Sequence, residues 1–199
     1  MTDSARIDIA AVLDALPAFP RLRGTRLSLR GPRADDADAV FALFSDPAVM
    51  RYWSRPPMAA RAEAEERIAE YAEDFHARKA LQWVIATRAN DEVIGTCALF
   101  RFESRQRRAE TGYALRSDHW GRGLAGEAVA LALDWGFRTL GLQRIEAGID
   151  RGNAGSRKLL ERLGFTSEGL PRDRHFVAGE TRDTESFGLL AADWARRNP

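Results

Sequence analysis

At 199 residues and 45% hydrophobic content, the chain suits one domain that buries about 70% of its unfolded surface. Thirty basic against twenty-nine acidic side chains leave a net charge of +1, spread along the chain, which argues against a general nucleic-acid or membrane binder. A lone cysteine, Cys97, excludes an intrachain disulfide and a cysteine-based zinc site, and no apolar run approaches the roughly 20 residues that span a bilayer.

Met1-Thr2-Asp3-Ser4 lacks the basic start and apolar stretch of a secretory signal, so a cytoplasmic chain is expected. Residues 1–20 read as an appendage to a single domain over 21–199. Ile9, Val12, Leu13 and Leu16 recur there at helical spacing until Pro17 and Pro20 stop the pattern, giving a helix that packs on the domain or on a partner subunit. A homodimer is compatible with that second option.

Arg26 to Arg30 predicts a first strand, and Asp35 or Asp36 starts a helix carrying Val40, Phe41 and Phe44 inward. The loop Asp46 to Met58 is rich in aromatic and basic residues. A helix over roughly Ala59 to Lys79 turns Ile68, Tyr71, Ala72 and Phe75 to one stripe. Three strand-like runs follow with short polar connections: Leu81 to Arg88, Val93 to Phe102 and Arg108 to Arg116, an antiparallel meander. A long helix, Gly123 to Leu140, buries Leu124, Ala128, Leu131, Ala132 and Trp135 and ends at Gly141. Arg144 to Asp150 alternates as a strand, and Asn153 caps a helix with Leu159, Leu160 and Leu163 buried, closed by Gly164. Phe165 to Ala191 reads as two or three strands. The order is that of a mixed α/β sheet flanked by helices, not of a pure βαβ series.

The segment Trp120-Gly121-Arg122-Gly123-Leu124-Ala125-Gly126-Glu127 stands between a strand and a helix. Small residues let the backbone approach a bulky anion, and the N–H groups of the first helical turn point at it, so a pyrophosphate fits. Two alternatives stay open here. One is a glycine-rich turn with no ligand. The other is the dinucleotide fingerprint G-x-G-x-x-G, which Gly121, Gly123 and Gly126 satisfy, with Asp150 ending the next strand as a ribose-binding acid. Four residues between strand and first glycine, and a preceding antiparallel meander, count against this nicotinamide reading.

The same segment resembles the pyrophosphate loop of the GNAT acetyltransferase superfamily, R/Q-x-x-G-x-G/A. Trp120 stands where Arg or Gln is general, as in the W-G-x-G-x-A-x-E-A string of the Rim-type protein N-terminal acetyltransferase branch. Arg26-Leu27-Ser28-Leu29-Arg30, Ser45-Asp46-Pro47 with Met50-Arg51-Tyr52-Trp53, Ala109-Glu110-Thr111-Gly112-Tyr113, Asn153-Ala154-Gly155-Ser156 and Phe187-Gly188-Leu189-Leu190 continue the resemblance in order. It implies a GNAT fold, one mixed and mostly antiparallel sheet flanked by helices. It also implies acetyl transfer from acetyl-CoA to an amine by direct attack, with no metal. A non-catalytic acyl-CoA-binding module is the bland alternative.

On that resemblance Trp120, Gly121, Arg122, Gly123, Leu124, Ala125 and Gly126 hold the diphosphate. Tyr113 and Leu115, on a strand that splays after Glu110, hold the thioester and pantetheine arm, and Asn153 either orients that arm or only caps its helix. Arg157, with Arg151 and Lys158, faces the 3′-phosphate. Glu110 is the candidate base, against a surface pair with Arg107 or Arg108. Many family members carry a tyrosine seven residues after the asparagine as proton donor to the thiolate; Leu160 stands there. Ser156, which the Rim-like branch uses, is therefore the candidate acid. Tyr52, Trp53 and Arg55 form the candidate acceptor pocket. His76, His119 and His175 show no metal-ligand spacing. An α-amine of pKa about 7.7–8 is easier to present neutral than a lysine near 10.4, so the acceptor is expected to be a protein N-terminus or a small-molecule amine.

Overall fold

Period-two alternation over the run from Arg108 and the run from Arg144 sets two strands around which the rest of the chain is arranged. The computed structural model describes residues 8–177 and 179–198. In chain order the elements are α1 (Ile9–Asp14), β1 (Leu22–Arg23), β2 (Leu27–Arg30), α2 (Ala37–Ser45), α3 (Pro47–Met50), α4 (Arg61–His76), β3 (Ala80–Thr87), β4 (Val93–Glu103) and β5 (Arg108–Leu115). Then come α5 (Leu124–Arg138), β6 (Arg144–Asp150), α6 (Ala154–Leu163), β7 (Thr166–Gly169), β8 (His175–Val177), β9 (Glu180–Arg182), β10 (Thr184–Leu190) and α7 (Ala191–Arg197).

One eight-stranded sheet runs in the order β1-β2-β3-β4-β5-β6-β10-β7, and β8–β9 form a separate hairpin. Every pairing in the large sheet is antiparallel except β5 with β6. That arrangement removes the dinucleotide reading, which needs a parallel sheet behind its glycines.

The sheet carries a hydrophobic cluster on each face. Ala109, Tyr113 and Leu115 of β5 belong to the larger, with α1, α5, α6 and α7, while Ala114 belongs to the smaller, with α2, α3 and α4. This is the alternation a strand buried on both sides requires. Trp83, Ile85, Leu99 and Leu133 are fully enclosed in the larger cluster.

Several expectations shift. On α5 the buried stripe is Ala128, Val129, Ala132, Leu133 and Phe137, whereas Leu124, Leu131 and Trp135 are half-buried at its edge. Ala72 of α4 is exposed, and Leu159 and Leu163 flank a fully buried Leu160. The tail holds four short strands rather than two or three. It ends in α7, whose acid in the first turn, basic pair in the last turn and buried Trp194 are legible as helix signals in retrospect. The two-residue β1 exists only through its pairing with β2. Residues 1–7 of the expected appendage lie outside the described residues. Its helix α1 places Ile9 and Leu13 in the larger cluster, and Phe19 packs at 4.9 Å from Phe75 and edge-on to Trp83.

Candidate active site

Strands β5 and β6 pair only at Arg108↔Arg144, Ala109↔Ile145 and Glu110↔Glu146, and beyond Glu110 they part. On its other side β5 stays bonded to β4, and the Arg116 N–H donates to Ile94 O at 2.8 Å. An antiparallel ladder directs alternate residues to opposite neighbours. With Arg116 turned to β4, the backbone groups of Thr111, Tyr113 and Leu115 face away from it, into the opening of the fork. The sheet thus turns N–H and C=O groups of β5 that are not laddered to β6 into the opening of the fork.

The glycine segment follows β5 at the mouth of this fork. Gly121 and Gly123 adopt φ +74 and +73, left-handed values that cost a side-chain-bearing residue about 1–2 kcal/mol, and Gly123 is the residue at which α5 begins. The first intrahelical bond runs from Glu127 N–H to Gly123 O, so the N–H groups of Leu124, Ala125 and Gly126 precede the ladder. A Cβ added at Gly121 or Gly126 would meet nothing within 4 Å, so open space lies beside both glycines. The loop therefore suits a diphosphate in both shape and polarity.

Trp120, half exposed, donates its indole N–H to Leu115 O at 2.8 Å. The Leu115 carbonyl is therefore occupied, and any contact of Leu115 with a ligand falls to its N–H. This bond ties the loop to the end of β5 and gives a physical reason for tryptophan at the loop's first position. Ser117 Oγ donates to Asp46 Oδ2 at 2.6 Å, fastening the same loop to the start of α3.

A brace on the loop escaped sequence reading. Glu127 accepts from the Arg26 backbone N–H and Nε, both at 2.8 Å, while Arg26 Nη1 donates to the Arg122 carbonyl at 2.7 Å. The pair meets across 101 residues, so no local pattern announces it. Gly24 makes room for it, because a Cβ there would stand 2.6 Å from Glu127 Oε1. Burial raises the Glu127 pKa, but the hydrogen bonds from Arg26 outweigh burial and hold the carboxyl below its ordinary value. A lowered carboxylate stabilises the fold fully above the unfolded value near ~4.3, and that contribution is lost as pH falls through the folded one. Arg26→Gln is expected to raise the KM for acetyl-CoA about tenfold, a charge-assisted bond discounted for an Arg that is half exposed, with kcat within about twofold. Steady-state kinetics with varied acetyl-CoA checks this; an unchanged KM would show the loop holds its shape without the brace.

Across the fork, Asn153 caps α6, its Oδ1 accepting from the Ser156 N–H at 3.0 Å. With that oxygen occupied, any ligand contact by Asn153 falls to its Nδ2. The Tyr113 phenol of β5 lies 2.5 Å from Ser156 Oγ of α6, joining the two walls of the fork. Glu110, at the fork's base, is held by Arg101 Nη1 at 3.0 and 3.1 Å; its partner comes from β4 and is neither Arg107 nor Arg108.

Other expected site residues are not brought to the fork. The guanidinium of Arg157 is bonded to Glu185 of β10 and lies over the Phe187 ring, so α6 turns it to the sheet and away from the glycine loop. Trp53 packs edge-on to Phe44 at 5.3 Å, and Arg55 lies 4.9 Å over the same ring, so both half-buried side chains lean on the smaller cluster. Tyr52 differs: its ring lies 3.3 Å from where a Cβ of Gly152 would be, beside the end of β6. Arg182 donates to the Arg51 carbonyl at 3.0 Å and reaches to 4.0 Å from Asp150, closing that corner. The His175 side chain lies outside the described residues. No group of three or more His, Cys, Asp or Glu that could hold a metal, and no helix long and apolar enough to cross a membrane, occurs among the described residues.

A parallel strand pair that parts halfway, with a glycine-led helix N-terminus at one lip and a capped helix at the other, is a cleft suited to an extended ligand that ends in a diphosphate. The acetyltransferase (GNAT) domain model matches residues 26–166, and the chain belongs to that family. It is 38% identical to the N-acetyltransferase p20 of Bacillus licheniformis over 85% of this chain and 96% of that one. It is 29% identical to the spermidine N(1)-acetyltransferase of Escherichia coli K12, covering 79% and 82% respectively. The solved spermidine N-acetyltransferase of Vibrio cholerae, in complex with CoA and spermine, superposes with a TM-score of 0.76 at 26% identity over 86% of this chain and 99% of that one. The chain is thus an enzyme that acetylates amines with acetyl-CoA, and the nicotinamide and non-catalytic readings fall.

Proposed function

We propose that the acceptor is a protein N-terminal α-amine, in keeping with the Rim-type resemblance. The observation that carries this reading is the Arg101–Glu110 pair. The Glu110 carboxylate, the candidate base at the foot of the fork, already shares both oxygens with a guanidinium. A lysine or polyamine nitrogen must shed a tightly held proton first, at about 3.5 kcal/mol more than an α-amine at the same pH. A site whose base is engaged favours the amine with the larger neutral fraction at the working pH.

Bound acetyl-CoA supplies a thioester carbonyl and a leaving thiolate. The amides of residues 122–126 hold the diphosphate, and the cleft-facing N–H groups of Tyr113 and Leu115 hold the arm and the carbonyl oxygen, the latter as an oxyanion hole. Glu110, directly or through water, takes the proton from nitrogen, and Ser156 donates one to sulfur. Tyr52 lines the acceptor side, with Trp53 and Arg55 holding its loop in place. Holding donor and acceptor together contributes on the order of 7–11 kcal/mol, so a sparse catalytic centre suffices. A small-molecule amine is the second reading, favoured by the likeness to the spermidine acetyltransferase of Escherichia coli.

A thiol-release assay over peptides with free N-termini, the same peptides blocked at the α-amine but carrying lysine, spermidine and an aminoglycoside decides between them. The expected result is kcat/KM at least about tenfold higher for free N-termini. Preference for spermidine or lysine would overturn the α-amine reading. Ser156→Ala is expected to lower kcat roughly ten- to a hundredfold with the acetyl-CoA KM unchanged, the lower part of the range for general acids because a thiol leaves readily. A wild-type kcat would remove Ser156 from the chemistry.

A further inference from the structure

A serine hydroxyl on the first turn of a helix turns freely unless something holds it. We infer that Tyr113 is a positioning residue for proton transfer, its phenol donating a hydrogen bond to Ser156 Oγ so that the serine's own proton is aimed at the departing sulfur. The inference rests on the proposed role of Ser156 and adds the residue that directs it.

Three observations carry it. The two hydroxyl oxygens are 2.5 Å apart although the residues are 43 apart in sequence and sit on opposite walls of the fork. The Ser156 backbone is fixed independently by Asn153, so Oγ has a set origin and only its rotor is left to settle. Ser156 is the one hydroxyl on α6, and Leu160, at the place of the usual donor, is fully buried in the core.

Either oxygen can donate in this pair, and the proposed role of Ser156 sets the direction. A hydroxyl has one hydrogen. If Ser156 donated to Tyr113, its proton would point across to the phenol oxygen and none would be left for the thioester. If Tyr113 donates, Oγ accepts and its proton stays available. Burial pushes the Tyr113 phenol well above its ordinary value, and the bond to Ser156 offsets this only partly, so the phenol keeps its proton and serves as a fixed donor. As the carbon–nitrogen bond forms and the carbon–sulfur bond breaks, the bonding pair leaves on sulfur, which takes the Ser156 proton. The single proton that nitrogen sheds to Glu110 passes on through water to the serine oxygen, and Tyr113 ends as it began.

Tyr113→Phe in the full chain removes the hydroxyl and keeps the ring. The expected result is a kcat about tenfold lower, the worth of one hydrogen bond, with the acetyl-CoA KM and the melting temperature unchanged. The double variant Tyr113→Phe/Ser156→Ala is expected to be no slower than Ser156→Ala alone, because the tyrosine acts only through the serine. A wild-type kcat for Tyr113→Phe beside a slow Ser156→Ala overturns the positioning role and leaves Ser156 in place. A wild-type kcat for Ser156→Ala overturns both. Multiplicative losses in the double variant, or a Tyr113→Phe loss that follows KM or melting temperature, assign the phenol a merely structural part and overturn the inference.

Discussion

Gly126→Asp is expected to weaken acetyl-CoA binding about a hundredfold while leaving the fold as stable as before or slightly more so. Gly126 is the third residue of α5, and a Cβ there meets open space within 4 Å. Replacing glycine inside a helix removes a disadvantage of up to about 1 kcal/mol, and an acid in the first turn adds ~0.3–1 kcal/mol with the helix dipole. The same carboxylate would stand among the amides proposed to hold the diphosphate. At about 5 Å and an effective dielectric near 20, like charges repel by roughly 3 kcal/mol, which converts to about a hundredfold in affinity. Calorimetric titration with acetyl-CoA, beside thermal melting, separates the two effects. Gly126→Ala is the neutral control and is expected to bind far better than the aspartate. Wild-type affinity in Gly126→Asp would mean that the diphosphate lies elsewhere, and the site assignment would fail with it.

Asp36→Ala is expected to lower stability by about 3–5 kcal/mol, the cost of leaving one member of a buried ion pair behind. Arg30 Nη1 and Nη2 each donate to an oxygen of Asp36 at 2.8 Å, and both side chains are only 6% exposed. Asp36 also accepts from the Arg33 N–H at 2.7 Å, and Arg30 Nε reaches Asp91 at 3.1 Å. One carboxylate thus joins the end of β2 to the start of α2, and its guanidinium partner ties in the β3–β4 turn. At ~2–4 °C per kcal/mol for a chain of this size, the melting temperature is expected to fall by roughly 10 °C. Arg30→Met with Asp36→Leu, which removes both charges, is expected to recover most of the loss, since an apolar pair of similar volume carries no desolvation cost. A urea-unfolding loss below about 1 kcal/mol for Asp36→Ala would show that the pair contributes no more than an exposed one.

The elements were legible wherever a period ran without interruption. Arg144 to Asp150 was bounded at both ends by its alternation of Ile145, Ala147 and Ile149, and the helix after Asn153 by its cap and by Gly164, which takes a left-handed φ of +98. Trp120 to Glu127 pointed to an anion loop because three glycines and an alanine around the start of an apolar helical stripe suit close backbone approach. The last turn of the chain, Ala191–Arg197, was missed beside the strand that runs straight into it.

The periodicity of this chain by itself determined its longer strands from β2 to β6, its main helices and the place of the glycine loop, because burial face and backbone freedom are local properties of a sequence. Partners were a different matter. That Tyr113 meets Ser156, that Arg26 braces Glu127, that Arg101 rather than a neighbour holds Glu110, and that Glu185 draws Arg157 away from the fork all join elements distant along the chain or turn on which side of a strand faces which neighbour. A pattern says which face a side chain takes; only the order and register of the sheet decide what stands opposite it, since contact depends on position in space and the repeat carries no distance.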